Sequence, residues 1–136
     1  MVLCIAIIPL AGNPHQREVI YIQQDTPIRP YEDLWLAVCK VESNFNPYAI
    51  GDLDLKEKSY GIAQIRRVRL DDYNDRTGNR LKLTEMYDPK ISKEIFMFYA
   101  TKFHHTDYEH IARRWNGSGY KTLIYWGKVK KHLATI

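Results

Sequence analysis

The segments VESNFNP, residues 41–47, and YGIAQI, residues 60–65, decide how this chain is expected to fold. Before the first segment, apolar residues recur three and four positions apart, which predicts an amphipathic helix that ends near Glu42. Pro47 cannot continue that helix. The second segment predicts another helix, which begins at Tyr60 or Gly61 and ends before Gly78. This arrangement would place the carboxyl of Glu42 at the edge of a cleft, although a Glu in a last helical turn is more often an ordinary surface residue.

The composition indicates one globular domain. Of 136 residues, 45% are apolar and 26% are charged, which suits a folded domain with its own core. No apolar run approaches the roughly 20 residues of a membrane-spanning helix, so we expect no span. A net charge of +4 favours anionic surfaces such as cell wall, membrane or nucleic acid. The basic clusters show no recognition-helix pattern, so we expect no nucleic-acid partner.

The first 30 residues form a separate region in our prediction. Residues 1–12 have the length of a signal-peptide apolar region but lack its basic start, so a signal peptide and a buried first segment both remain open. Residues 13–30 are polar and contain three prolines, which predicts an extended lead-in. Two cysteines imply no disulfide framework. The spacing of His104, His105 and His110 crosses an expected helix start, so we expect neither a metal site nor a cofactor.

Residues 31–136 are expected to form a mainly α domain of about five helices. Asp88 and Pro89 are a typical N-cap and first helical residue of the third helix. Thr106 and Glu109 fit a capping box that opens the fourth helix. The expected helices cover about 31–42, 60–77, 89–103, 107–116 and 121–133.

Glu42 is the candidate for acid chemistry. Cleavage of a glycosidic bond requires a proton on the leaving oxygen, and a carboxyl against an apolar wall keeps its proton to higher pH. Val38, Val41 and Phe45 supply apolar neighbours in the sequence. Ser43 and Gln64 offer polar groups nearby, and Gly61 would permit close approach to the backbone. Capping, a turn and a solvent-facing amide are the plain structural alternatives for Ser43, Gly61 and Gln64.

Three ordered blocks resemble a known family. Glu42-Ser43 before NFNP, then Tyr60-Gly61-x-x-Gln64-Ile65, then Asn116-Gly117 with a downstream aromatic residue, together resemble lytic transglycosylases of the soluble-lytic (SLT) type, in the lysozyme-like superfamily. The resemblance covers about residues 34–133. It implies a lysozyme-like helical fold with a catalytic cleft, acting on peptidoglycan without a cofactor. Glu42 would be the single acid and base. The residues expected to contact substrate are Ser43, Tyr60, Gly61, Gln64, Trp115 and Asn116.

The chain departs from the family pattern in ways that leave alternatives open. Trp115 replaces a Tyr whose hydroxyl contacts the catalytic Glu in the family, and Ala63 replaces a Met. The loop of residues 51–59 is long and acidic, so Asp52 or Asp54 is a possible second carboxylate of a lysozyme-type hydrolase. A peptidoglycan-binding protein without turnover is the third alternative. Tyr125 and Trp126 suit either a sugar subsite or, more simply, packing of the last helix.

The expected biological setting is the cell wall. The resemblance implies glycan strands of peptidoglycan as the partner and action outside the cytoplasm, in the periplasm or envelope or delivered by a phage. We expect the protein to work as a monomer.

Overall fold

A computed structural model describes residues 30–103 and 107–136 of the chain. The possible signal peptide, nearly all of the extended lead-in, Cys4, His104, His105 and Thr106 lie outside the described residues.

The described chain is mainly α-helical, as predicted. Five α-helices, three two-residue strands and one 3-10 helix follow each other in the chain. They are α1 (Glu32–Ser43), β1 (Ile50–Gly51), β2 (Ser59–Tyr60), β3 (Ile65–Arg66), α2 (Arg67–Thr77), the 3-10 helix (Leu83–Tyr87), α3 (Pro89–Lys102), α4 (Tyr108–Asn116) and α5 (Lys121–Leu133). No helix within these described ranges has both the length and the apolar character needed to cross a bilayer.

Two helix starts show the local chemistry that the sequence predicted. The side chain of Asp88 accepts a hydrogen bond from the Lys90 amide at 2.8 Å, and Pro89 is the first residue of α3. At the start of α4, the carboxyl of Asp107 accepts from the amides of Glu109 and His110. Asp107 is therefore the N-cap of α4. Thr106, the first residue of the capping box expected from the sequence, lies outside the described residues.

The prediction of a helix from residue 60 onward is wrong. The backbone forms a three-stranded antiparallel sheet there, in the order β1-β2-β3, and α2 begins only at Arg67. Gly61 has φ 77° and Gln64 has φ 53°, values of the left-handed region that a right-handed helix cannot contain. A Cβ on Gly61 would lie 1.9 Å from the carbonyl oxygen of Met86. The glycine therefore permits a tight turn to pack against the 3-10 helix.

The end of α1 is fixed by its own backbone. Asn44 and Phe45 both adopt positive φ, at 54° and 64°, and the Asn44 amide bonds back to the carbonyl of Lys40. Two successive left-handed residues stop the helix before Pro47 is reached.

The core lies around α1, which packs against α5, while α4 packs against both of them. Leu34, Ala37 and Val38 of α1 are fully buried, as are Phe96 of α3 and Val129 of α5. This burial fixes the direction in which α1 points. Its C-terminal end, which carries Glu42, lies between the small sheet and α5.

Candidate active site

Glu42 is half-buried at the end of α1 and faces a tyrosine from the last helix. The hydroxyl of Tyr125 donates a hydrogen bond to Oε1 of Glu42 at 2.7 Å, across 83 positions of sequence. Tyr125 is itself buried, so this bond lies at the inner end of a cleft. The geometry fixes one carboxyl oxygen against the protein.

The pKa of Glu42 is raised from its ordinary value of 4.5 to about 7. Burial is the main cause, since a charged carboxylate loses water in this position. The bond from Tyr125 and the positive charges of Arg66 and Arg69 act in the opposite direction, while the charge of Asp52 adds to the rise. Glu42 is therefore present in both protonated and ionised forms near neutral pH.

An open cleft of about 470 Å³ runs past Glu42. Three lining residues lie in the sheet or next to its strands. They are Asp52, Gln64 and Arg66. Further lining residues come from α2, α3 and the end of α4. They are Arg69, Asp72, Tyr99, Trp115 and Asn116. The cleft thus combines the carboxyl of Glu42 with polar and aromatic side chains that suit a carbohydrate chain.

Asp52 lies on the cleft wall but is held by an arginine. Its Oδ2 accepts a hydrogen bond from Nε of Arg66 at 3.0 Å and forms a salt bridge with Nη2 of the same side chain at 2.9 Å. Asp52 has a positive φ of 56°, which turns the chain at the exit of β1. Asp54 is exposed in the following loop and does not line the cleft.

Gln64 lines the cleft with an amide that is bonded at both ends. Its Oε1 accepts a hydrogen bond from the Ser59 hydroxyl at 2.7 Å. Its Nε2 donates to the carbonyl oxygens of Gly61 at 2.9 Å and of Ala49 at 3.3 Å. Gln64 therefore holds the turn between β2 and β3 in place beside Glu42.

Arg69 lies over two aromatic rings in the lining of the cleft. Its guanidinium carbon is 4.5 Å from the ring centroid of Trp115 and 4.9 Å from that of Tyr99. Its Nη2 donates to the carbonyl oxygen of Trp115 at 2.9 Å. Burial lowers the pKa of Arg69, while Tyr99 and the nearby carboxylates counteract this. One side chain of α2 thus joins α3 and the end of α4.

Comparison with protein families agrees with this geometry. The profile of the family described as "Transglycosylase SLT domain" matches residues 23–115, which is more than half of the chain. The chain belongs to the SLT transglycosylase domain family. Membership implies a domain that acts on peptidoglycan and cleaves glycosidic bonds, and it confirms the resemblance and the fold class predicted from the sequence. No individual curated protein matches the chain at a significant level.

The SLT domain brings five of the predicted site residues to one cleft. Glu42, Asp52, Gln64, Trp115 and Asn116 all line it. Their predicted catalytic and substrate-binding roles stay predictions.

The other four predicted residues of the SLT domain do not line this cleft. Ser43 donates to the carbonyl oxygen of Ile62 at 2.8 Å and so ties the end of α1 to the turn. The ring of Tyr60 packs edge-on against Tyr87, with 6.2 Å between centroids. Gly61 lies against Met86, as described above, and Asp54 lies in the exposed loop.

Sequence reasoning missed two contacts of the SLT domain. It gave Tyr125 a packing or sugar-binding role, and it counted Arg69 only as one of several basic residues. Residue spacing carries no sign of either contact, because Tyr125 and Glu42 approach each other only when α5 docks onto α1. The family profile ends at Trp115, so Asn116 and Tyr125 lie beyond its match.

No cluster of three or more His, Cys, Asp or Glu side chains suited to a metal ion occurs within residues 30–103 and 107–136. Two of the three histidines considered from the sequence, His104 and His105, lie outside these ranges.

Proposed function

We propose that this domain cleaves the β-1,4 bond between N-acetylmuramic acid and N-acetylglucosamine of peptidoglycan and leaves 1,6-anhydromuramyl ends. The observation that carries the proposal is the environment of Glu42: a half-buried carboxyl, bonded to Tyr125, with a pKa of about 7 in an open cleft. The matched family supplies the substrate class.

In the first step, protonated Glu42 donates its proton to the glycosidic oxygen while the bond from the muramyl C1 to that oxygen breaks. In the second step, the carboxylate of Glu42 accepts the proton of the muramyl C6 hydroxyl while that oxygen bonds to C1. Glu42 ends protonated again, and water is not consumed. A pKa near the working pH suits a group that must act first as acid and then as base.

The environment of Asp52 favours this route over hydrolysis. A lysozyme-type hydrolase needs a second carboxylate, either as a nucleophile or as a base that activates water. Asp52 lines the cleft, but its Oδ2 is already engaged by the guanidinium of Arg66, so this oxygen is not free to hold a water molecule. Asp54 lies outside the cleft. Hydrolysis through Asp52 remains the second candidate because the negative charge of Asp52 contributes to the raised pKa of Glu42.

Product analysis tests the proposal. Purified peptidoglycan is digested with wild-type protein, with Glu42→Gln and with Asp52→Asn, and the fragments are analysed by mass spectrometry. We expect anhydromuramyl ends from wild-type protein and from Asp52→Asn. Glu42→Gln should lower the rate by roughly 10²-fold or more, because Gln cannot donate a proton.

Three other outcomes would change the assignment. Reducing ends from wild-type protein, lost in Asp52→Asn, would establish the hydrolase. Unchanged activity of Glu42→Gln would remove Glu42 from the reaction. Binding to peptidoglycan without any released fragment would establish a non-catalytic binding protein. The proposed substrate sets the place of action outside the cytoplasm, in the envelope of the producing cell or at a wall reached by a secreted or phage-delivered protein.

A further inference from the structure

A second cavity adjoins the catalytic cleft. It encloses about 330 Å³, and its charged lining residues, which define the basic groove, are Arg69, Asp72, Arg76, Lys102 and Arg114. The groove shares Arg69, Asp72 and Tyr99 with the cleft, so the two spaces are neighbours. Glu42 lines only the cleft. A ligand in the groove would therefore lie beside the bond that reacts, rather than at it.

The basic groove has an excess of positive charge. Its one carboxylate, Asp72, bonds to Arg76 at 2.8 Å and also accepts a hydrogen bond from the hydroxyl of Tyr99. The hydrogen bond from Tyr99 is the main cause that lowers the pKa of Asp72, and the hydrogen bond and charge of Arg76 lower it further. Within the described parts of the chain, Arg69, Lys102 and Arg114 have no carboxylate at salt-bridge distance. Among residues 30–103 and 107–136, these three cations of the groove therefore have no salt-bridge partner.

Aromatic rings hold these three cations in position. Nζ of Lys102 lies 5.2 Å from the ring centroid of Phe98, and the guanidinium of Arg114 lies 5.5 Å from that of Phe103. Arg69 lies over the rings of Trp115 and Tyr99, as described above. A ring face attracts a cation without accepting its N–H groups one by one, so donors remain for a ligand. These three cations lie over aromatic rings next to the cleft and have no salt bridge within the described residues. They are therefore suited to bind an anionic substituent of the substrate.

We propose that the basic groove binds carboxylate groups carried by the muramyl residues of the glycan strand. This inference rests on the proposed function, because it takes peptidoglycan as the substrate. Such carboxylates have two sources: the peptide stem, or the lactyl group where the peptide has been removed. A guanidinium matches a carboxylate with paired N–H donors, and Arg69 and Arg114 supply two of them. The groove would thus make the enzyme select strands by their substituents.

The test measures binding to Glu42→Gln protein, which does not consume the strands. Three preparations of soluble glycan strands are compared by calorimetry: strands with intact peptides, the same strands after their carboxylates are converted to neutral amides, and peptide-stripped strands. The double variant Lys102→Gln/Arg114→Gln is made in the same background. The matched control is Lys130→Gln/Lys131→Gln, which removes the same charge from exposed positions of α5 outside the groove.

We expect the charged strands to bind about 5-fold more tightly than the amidated strands, since an exposed charge contact contributes up to about 1 kcal/mol. The groove variant should lose most of this preference, and the α5 control should keep it. Preference for intact strands alone assigns the stem carboxylates, whereas an equal preference for stripped strands assigns the lactyl carboxylate. Circular dichroism and thermal unfolding check that both variants fold.

A measurement on unsubstituted groove residues keeps the test valid if the double variant does not fold. Added salt should weaken the binding of charged strands and leave amidated strands almost unaffected, because it screens exposed charges. If charged and amidated strands bind equally while the wild-type chain still releases anhydromuramyl products, the proposal for the basic groove is overturned. The proposed function is then unaffected. Absence of both binding and product overturns the two together.

Discussion

At the scale of single residues, the acidity of Glu42 results from opposing influences. Burial favours the protonated form, and the hydrogen bond from Tyr125 favours the ionised form. Neither influence alone would leave the pKa of this carboxyl near the middle of the physiological pH range. In an enzyme that uses one group as acid and base, the balance between them sets the pH at which both steps proceed.

Tyr125→Phe should shift this balance in a defined direction. Loss of the hydroxyl removes the bond that lowers the pKa of Glu42, so the pKa should rise further. The alkaline limb of the pH profile of kcat/KM should then move to higher pH, because Glu42 keeps its proton longer. The rate at the optimum should fall about tenfold, since the carboxyl loses a fixed hydrogen-bond partner.

The control for that experiment is Tyr120→Phe, which removes a hydroxyl from an exposed tyrosine just before α5. Its pH profile should superimpose on that of the wild-type protein. A profile of Tyr125→Phe that is unmoved, or moved to lower pH, would contradict the role given to the hydroxyl.

At the scale of elements, the turn between β2 and β3 positions the end of α1. The Ser43 hydroxyl donates a hydrogen bond to the carbonyl oxygen of Ile62 in this turn. Within the turn, Nε2 of Gln64 donates to the carbonyl oxygen of Gly61. Gly61 lets the turn pack against the 3-10 helix. The position of Glu42 therefore depends on the short turn between β2 and β3, next to the end of α1.

Substitution of Gly61 by Ala should be strongly destabilising, by about 3 kcal/mol or more, because the new Cβ meets a backbone oxygen and the φ is positive. Gly78→Ala is the matched control: its φ is 74°, but no atom lies within 4 Å of the added Cβ. Only the conformational cost of about 1–2 kcal/mol is expected there. Urea denaturation of both variants measures the difference, and equal losses would show that the contact with Met86 is not limiting.

The sequence predicted the elements whose signals are local. Asp88 and Pro89 mark the start of α3, and the predicted bounds of α5 agree with the structure. Glu42 could be named as the candidate acid because its motif is contiguous. The sheet could not be predicted, since the apolar residues Ile62 and Ile65 also fit a helical spacing. What excludes the helix is the positive φ of Gly61 and Gln64, and their conformation depends on packing against a later part of the chain.

At the scale of the whole molecule, the site costs stability. The pKa of Glu42 is 4.5 under ordinary conditions and about 7 in the folded protein, so between these values the folded chain keeps a proton that the unfolded chain has lost. The folded state binds more protons in this window. The free energy of unfolding therefore decreases as pH rises from about 4.5 to about 7.

Glu42→Gln should remove this decrease. Relative to wild-type protein, its free energy of unfolding should rise between about pH 4 and about pH 8, by at most about 3 kcal/mol. Denaturant unfolding across that range measures the change. Glu57→Gln, in the exposed loop, is the matched control and should remain parallel to the wild-type protein. A Glu42→Gln curve that also stays parallel would mean that burial does not perturb this carboxyl.

The bond between Tyr125 and Glu42 joins positions 83 residues apart, with a consequence for when the protein is active. If α5 leaves α1, Glu42 meets water and its pKa returns toward 4.5, so at neutral pH it has no proton to give. For the proposed reaction, the docking of α5 onto α1 would therefore be a condition of activity, because only the docked helix keeps the proton on Glu42 near neutral pH.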